Sequence, residues 1–449
     1  MFTPTPNTRL PTSPTNSYRL FTVRQKFIIS QVVAVLWLAL SIVLSLRWLQ
    51  ELASILSWPA AFFVIAGIAY IPGYLNAFLV ASILLDQPPG IEGFSPEEPV
   101  TILIAARNEA DRIGETLRYI AKQEYKGSIQ VILVDNGSTD GTLGVAKETA
   151  EQLKLSFLGI EERRPGKNFA LNTGLVAVKT RYVITLDADT LLHKWAIQRL
   201  VARMMRSPKH VAAVAGTVLV RNSRTNLWTR MQEWDYFLGI ASIKRQQGLY
   251  QGTLVAQGAY SLYRTDALRE VGGWPDAIGE DIVMTWRIFE RGYAVYFEPT
   301  AVAFTEVPER LRHFVRQRSR WARGMIEGLR IAGPWRQPRM FVKFLTSLDL
   351  FLPYTDLSYT LGWIPGLILA CFGHYWIVGP YTILVFPFTL ISNALMYRHQ
   401  RRVFDTLGLR IRRNRIGFVA YVLCYQMIMS PISVWGYLQE FFRARRVWK

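Results

Sequence analysis

The sequence predicts an α/β domain with a mostly parallel sheet, inserted between groups of apolar helices. Three observations lead there. From residue 100 to about 310, β-rich apolar stretches alternate with stretches of helical spacing, the pattern of a mostly parallel sheet. The two ends of the chain carry long apolar runs, while the middle reads as water-soluble. The stretch RYVITLDADT, 181–190, reads as a buried strand running into Asp187-Ala188-Asp189, and ligands of open α/β sheets sit at the carboxyl ends of strands.

The composition narrows the class. Half of the 449 residues are hydrophobic and 14 are Trp, too apolar for an ordinary soluble enzyme. The net charge is +19. Much of the excess lies beside apolar runs, which points to anionic lipid and membrane topology, not to nucleic acid. The only two cysteines, Cys371 and Cys424, lie in apolar runs, so neither a disulfide framework nor a cysteine metal site is expected.

Taken in order, residues 1–26 form a Pro-, Thr- and Ser-rich head expected to be disordered, ending in Arg19, Arg24 and Lys26. Two apolar runs follow within 27–85, each long enough to span a ~30 Å hydrocarbon core. The basic head puts the starting side, and so the middle domain, in the cytoplasm. A Pro-rich linker covers 86–99. Strands are expected at 100–106, 130–134, 156–160 and 182–186, and helices at 109–123, 142–153 and 168–177. No G-x-G-x-x-G or P-loop pattern occurs, so neither standard dinucleotide nor P-loop binding is supported.

Residues 311–345 change character. Leu311, Phe314, Val315, Trp321, Met325 and Leu329 are interleaved with seven arginines from Arg310 to Arg330. This predicts a basic amphipathic helix along the inner leaflet. About three further apolar runs occupy 346–438, near 346–371, 377–397 and 416–438. Arg398 to Arg415 holds seven Arg against one acid, Asp405, which the positive-inside rule places in the cytoplasm. Pro431 raises the question of whether the last run is broken, and 439–449 is a basic tail. Asp349 and Asp356, early in the third run, suggest a polar path or an interfacial position.

Several short motifs could carry chemistry. Asp187 and Asp189 could share a hard divalent cation with substrate phosphate oxygens; a strand-ending Asp-rich turn is the plain alternative. Ala106-Arg107-Asn108-Glu109 ends the first strand and Asp135-Asn136-Gly137-Ser138 the second. Pro165-Gly166-Lys167-Asn168, Gln257-Gly258, Gly279-Glu280-Asp281 and Gln317-Arg318-Ser319-Arg320-Trp321 follow.

In this order, between membrane runs, the D-x-D, E-D and Q-x-x-R-W motifs resemble the processive membrane synthases of glycosyltransferase family 2. These include cellulose, chitin, hyaluronan and poly-N-acetylglucosamine synthases. The resemblance covers 58 to about 330 by motif. The stretch from GEDIVMTWR through FEP to QRSRWARG looks most like bacterial poly-β-1,6-N-acetylglucosamine synthases.

The resemblance implies a GT-A (Rossmann-like) domain and an inverting, metal-dependent hexosyltransferase of the bacterial inner membrane. A UDP-sugar, with UDP-N-acetylglucosamine first among the choices, would be polymerised into a β-linked polysaccharide and extruded through the enzyme's own spans. By the same resemblance Glu109 and Asp135 contact the uridine and Lys167 faces the diphosphate. Asp187 lies near the ribose and phosphates, and Asp189, with Asp187, holds Mg²⁺ or Mn²⁺. Asp281, beside Glu280, matches the general base. Arg318 and Arg320 pair with the pyrophosphate, and Gln317 and Trp321 meet the acceptor. A small membrane subunit is left open as a partner. Asn136, Ala106-Arg107 and Gly279 depart from the commoner pattern. The alternatives are single-sugar transfer to a lipid or other acceptor, a cellulose- or hyaluronan-type synthase using another UDP-sugar, and a non-catalytic nucleotide-binding membrane protein.

Overall fold

A computed structural model describes residues 21–379, 382 and 385–444. Most of the head expected at 1–26, part of the 377–397 run, and Arg445 and Arg446 of the tail lie outside the described residues.

Eight strands form one sheet: β1 (Val100–Ala106), β2 (Ile129–Asp135), β3 (Ser156–Glu161), β4 (Tyr182–Asp187), β5 (Leu191–Leu192), β6 (Val211–Val220), β7 (Tyr260–Arg264) and β8 (Ala294–Thr305). Their order is β3-β2-β1-β4-β7-β6-β8-β5. Both faces of the central strands are covered. On β1, Ile102 and Ile104 enter the core beneath the helices Ala110–Ala121 and Ala196–Met205, whereas Leu103 enters the opposite core with residues of Lys167–Ala177 and Glu280–Glu290. Burial on both faces explains why these strands are nearly continuous apolar runs and do not alternate.

The parallel expectation holds for β3, β2, β1 and β4. It does not hold beyond them: β7 runs antiparallel to both β4 and β6, and β5 antiparallel to β8, while β6 and β8 are parallel. The reversal has a consequence for the site. Leu186, near the end of β4, faces Tyr260, the first residue of β7. The loop that enters β7 therefore arrives at the same edge at which β4 ends.

Among the described residues, three helices are long and apolar enough to cross a membrane: Val23–Leu44, Trp58–Leu84 and Arg415–Phe441. The first opens with a capping box between Thr22 and Gln25, and many of its apolar residues, Leu36, Leu40 and Val43 among them, are exposed. It packs along the second, where a Cβ on Gly73 would lie 3.1 Å from Trp37 Nε1.

Of the runs expected in 346–438, the last alone forms a helix long and apolar enough to cross a membrane among the described residues. The 346–371 run breaks after the helix Met340–Leu348 and resumes at Leu352. The described helix Val385–Thr406 ends in a polar, arginine-bearing stretch. Pro431 does not break the last helix, because Gln426–Phe441 runs through it.

The basic segment forms one helix, Leu311–Ile331, whose Arg312, Arg316, Arg320 and Arg330 are exposed while Arg318 and Arg323 are buried. It is wedged between the helices Glu280–Glu290 and Gln426–Phe441. Arg318 and Arg323 are buried against Asp235 and Glu440, and Arg330 also pairs with Glu440 at 2.9 Å. The carboxylates of neighbouring elements take Arg318 and Arg323 inward, while Arg330 stays exposed. Gly436 permits the close approach, since a Cβ there would lie 2.8 Å from the Ala322 Cβ.

Candidate active site

Strand register assembles the first part of the site. Asp135 lies opposite Ala106, and Asp187 lies opposite Ala105 on the other side of β1. Both carboxylates thus reach the same sheet edge, flanking the Arg107-Asn108-Glu109 turn. That turn is laced to the turn after β2. The Asn108 N–H donates to Ser138 Oγ at 2.9 Å, and Asn108 Oδ1 accepts from the Thr139 N–H at 2.9 Å. The Glu109 N–H donates to Thr142 Oγ1 at 2.9 Å and the Ala110 N–H to Asp140 Oδ2 at 3.0 Å. Asn108 adopts φ +56°, a left-handed conformation that Asn tolerates better than most residues.

Asp135 accepts from the Ser138 N–H at 3.3 Å and, in a short bond, from the Ser138 hydroxyl. Glu109 pairs with Arg112 at 3.1 Å. Burial raises the Glu109 carboxyl above its ordinary range in spite of Arg112.

Asn136 has a structural task. Its Nδ2 donates to the carbonyls of Glu162 (3.0 Å) and Arg164 (2.7 Å), and its Oδ1 accepts from the Gly166 N–H at 2.8 Å. An aspartate could not donate to those carbonyls, so this departure from the commoner pattern fixes the turn before Lys167. Gly166 sits at φ +148°, and a Cβ there would come 2.7 Å from Asn168 Oδ1. Lys167 leaves this turn to meet Asp187 Oδ1 at 2.5 Å. Burial opposes the Lys167 charge, but Asp187, Glu280 and Asp281 outweigh it and hold the ammonium protonated above its usual range.

Asp189 lies deeper. Its Oδ1 accepts from the hydroxyls of Thr305 (3.2 Å) and Thr190 (3.3 Å). Burial, then the charges of Asp187 and Glu109, push its carboxyl up to about 6. Among the described residues no group of three or more His, Cys, Asp and Glu is placed to hold a metal ion. The donor chemistry nevertheless fits a hard cation: crowded carboxylates short of positive charge suit Mg²⁺ or Mn²⁺ when substrate phosphates complete the shell. Asp187 is already committed to Lys167, which makes Asp189 the main candidate ligand.

Glu280 and Asp281 start the helix Glu280–Glu290. Asp281 Oδ1 accepts from the Ile282 N–H at 2.9 Å, and Oδ2 accepts from the Gly258 N–H at 3.4 Å. Gly258 belongs to the loop entering β7, and Ala259 of that loop accepts from the Asp187 N–H at 3.2 Å. One short loop therefore ties Asp187 to Asp281. A side chain at Gly258 would crowd Lys167, whose Nζ lies 3.1 Å from the place of a Cβ. Burial and Asp281 push Glu280 up to about 7, against Lys167 and Arg320. Gly279 has a plain reason: a Cβ there would lie 2.7 Å from the Cα of Gly324. Glycine at both positions lets the helix of Asp281 touch the helix of Trp321.

Gln317, Arg318, Arg320 and Trp321 sit on that second helix. Arg320 is exposed, and its charge acts on Glu280. Trp321 is 37% exposed. Arg318 departs from its expected diphosphate role: it is buried, paired with Asp235 at 2.8 Å and set over the Trp321 ring. Of the two arginines, only Arg320 presents its side chain to solvent.

The sequence reading missed Asp235, Gly324, Thr305 and Lys244. Lys244 is buried and donates to the Val255 carbonyl at 3.1 Å and, in a short bond, to Gln257 Oε1. Burial, partly offset by Asp281, lowers it to about 7.

Comparison with known proteins fits this arrangement. The model of glycosyltransferase like family 2 matches residues 96–324, which contain every carboxylate of the candidate site. The chain belongs to glycosyltransferase like family 2. Among curated relatives, this family 2 chain is 34% identical over 228 residues to a poly-beta-1,6-N-acetyl-D-glucosamine synthase of Staphylococcus aureus, covering 51% of the chain and 54% of that protein. It is 32% identical over 228 residues to the synthase of the same name from Staphylococcus epidermidis. The chain spans about half the length of the curated relatives it matches. Among solved structures, a mannosyltransferase from Pyrobaculum calidifontis in complex with GDP-Man and Mn²⁺ superposes with a TM-score of 0.58 at 20% identity. That match covers 85% of this chain and 99% of the other, and it establishes a shared GT-A fold.

Proposed function

We propose that this family 2 chain polymerises a UDP-sugar, UDP-N-acetylglucosamine first among the choices, into a β-linked polysaccharide. The observation that carries the reading is the convergence at one sheet edge of Asp135, Asp187 and Asp189, with Lys167 set among Asp187, Glu280 and Asp281 and Trp321 on the adjoining helix. The names of the staphylococcal relatives support the choice of sugar.

In this reading Glu109 and Asp135 receive the uridine, and Lys167 with Arg320 faces the diphosphate. Asp189, assisted by Asp187, holds a divalent cation, which when bound supplies positive charge to the departing diphosphate. Asp281 takes the proton from the acceptor hydroxyl. The hydroxyl oxygen bonds to the anomeric carbon from the side opposite the diphosphate, and the bond from that carbon to the diphosphate oxygen breaks. UDP leaves with the electron pair, and the anomeric configuration inverts. Lys167 stays charged throughout because three carboxylates surround it. Trp321 offers a flat face to the terminal sugar, and Gln317 lies one helical turn before it. The three long apolar helices support a membrane location in this reading; the site then lies on the cytoplasmic side and the product leaves through the helical section.

The test is UDP release by the purified chain in lipid with Mg²⁺ or Mn²⁺, using UDP-N-acetylglucosamine, UDP-glucose and UDP-glucuronate singly and in pairs. Release with UDP-N-acetylglucosamine alone, together with a high-mass product, is the expected result. Release without polymer would replace polymerisation by single transfer. Release only with a donor pair would replace the homopolymer by a copolymer.

A further inference from the structure

Arg318 and Asp235 form a buried ion pair that the proposed reaction does not use. Arg318 Nη2 lies 2.8 Å from Asp235 Oδ2, and Arg318 is only 3% exposed. Taking two ions out of water is costly, and attraction offsets it only where the geometry is good and further polar contacts are made. Such contacts are present. The Tyr425 hydroxyl donates to the same Asp235 oxygen at 2.7 Å. The guanidinium lies over the ring of Trp321 at 4.1 Å, with Phe314 at 5.1 Å and Tyr236 at 5.6 Å.

Three elements meet at this pair. Asp235 opens a π-helical turn, Asp235–Ile240, a form that recurs at functional sites. Arg318 belongs to the helix of the Q-x-x-R-W motif, and Tyr425 to the long apolar helix Arg415–Phe441. Arg318 Nε has no hydrogen-bond partner among the described residues, so Asp235 and the three rings set the orientation of the guanidinium. The guanidinium in turn backs the partly exposed indole. Left alone, an indole at an open surface would sample several rotamers, whereas stacking on a sugar needs one.

We propose that Asp235 is a positioning residue for the acceptor. Acting through Arg318, it holds the Trp321 ring in the orientation on which the terminal sugar stacks, and through Tyr425 it ties that orientation to the last apolar helix. A buried pair serving stability alone would not need to lie on the indole. The sugar-stacking part rests on the proposed function; the orientation of the ring does not.

The test labels the full chain in lipid nanodiscs with 5-fluorotryptophan and identifies the Trp321 resonance by its loss in Trp321→Phe. Asp235→Asn should shift and broaden that resonance. It should leave UDP affinity in the presence of Mn²⁺ unchanged and reduce chain elongation by roughly 10²-fold, the scale of an ångström's misplacement. Asp235→Glu, which keeps the charge, should recover part of the elongation. Tyr425→Phe removes one hydrogen bond and should move the resonance less, in the same direction; it serves as the test if Asp235→Asn fails to fold. A Trp321 resonance that superposes on wild type in the folded variants would overturn the proposal, as would elongation and UDP affinity falling together. A wild-type chain that makes no polymer would overturn the proposed function instead, and the resonance would still decide whether Asp235 sets the ring.

Discussion

At the sheet edge, Asp135 and Asp187 owe their placement to strand register with their neighbour β1. Arg318 and Trp321 owe theirs to contacts between distant helices, with Asp235 reaching Arg318 across 83 positions of sequence. The first region is held by backbone ladders and short loops laced by Asn108, Asn136 and Gly258. The second is held by packed helices, a buried ion pair and the glycine contact between Gly279 and Gly324. The difference teaches that, in the proposed function, the carboxylate edge and Trp321 can be perturbed separately, with Arg320 the one residue of the Trp321 helix assigned to the donor. A substitution at the edge should strike the chemistry and the donor, and one at Trp321 or at the ion pair behind it should strike elongation.

The largest effect is expected from Asp281→Asn. A general base contributes ~10²–10⁴-fold, so sugar transfer should fall by about that factor while UDP affinity holds. Loss of UDP binding in this variant would move Asp281 to the donor side of the comparison. Next is Asp189→Ala, which should abolish metal-dependent UDP release. Full activity of that variant in a metal chelator would remove the D-x-D motif from the chemistry.

Asn136→Asp should be milder. It replaces an amide that donates to two carbonyls with a group that repels them, at a cost of about 1–3 kcal/mol. If the strain falls on the turn, donor affinity should drop by up to about the corresponding tenfold steps, with product length unchanged once donor is saturating. Titration calorimetry with UDP checks the first, and product sizing the second.

The smallest expected effect is in pH dependence. Burial and Asp281 raise Glu280 from an ordinary 4.5 to about 7. Its folded-state pKa is raised, so its stabilising contribution is fully present below about 4.5 and is lost as pH rises through about 7. Glu280→Gln should flatten the fall in thermal midpoint across that window. An unchanged slope would show that Glu280 is not the group responsible.

How much of this was legible depended on how local the signal was. Tyr182 to Leu186 followed by Asp187 and Asp189 could be read as a strand ending at a site, because buried strands and their terminal carboxylates are neighbours in sequence. The antiparallel entry of β7 could not, since nothing in Tyr260–Arg264 states a strand's direction. Gln257 and Gly258 stood out as a motif, yet the role of Gly258 and Ala259 in joining Asp187 to Asp281 emerges only from that reversal. Arg318 and Arg320 look equivalent in sequence, two residues apart in one motif. Helical geometry turns one inward to Asp235 and leaves the other exposed. Asp235 itself carried no local signal, because its partner is an arginine far along the chain. The 346–371 run was apolar enough to suggest one span, but the helix breaks between Leu348 and Leu352, beside Asp349.

The most direct test of the division between edge and helix is Trp321→Ala, assayed for UDP affinity and product length in the same preparation. The account predicts wild-type UDP affinity, metal-dependent UDP release no longer coupled to growth, and no long polymer. Polymer of unchanged length would contradict it and take Trp321 out of the acceptor site.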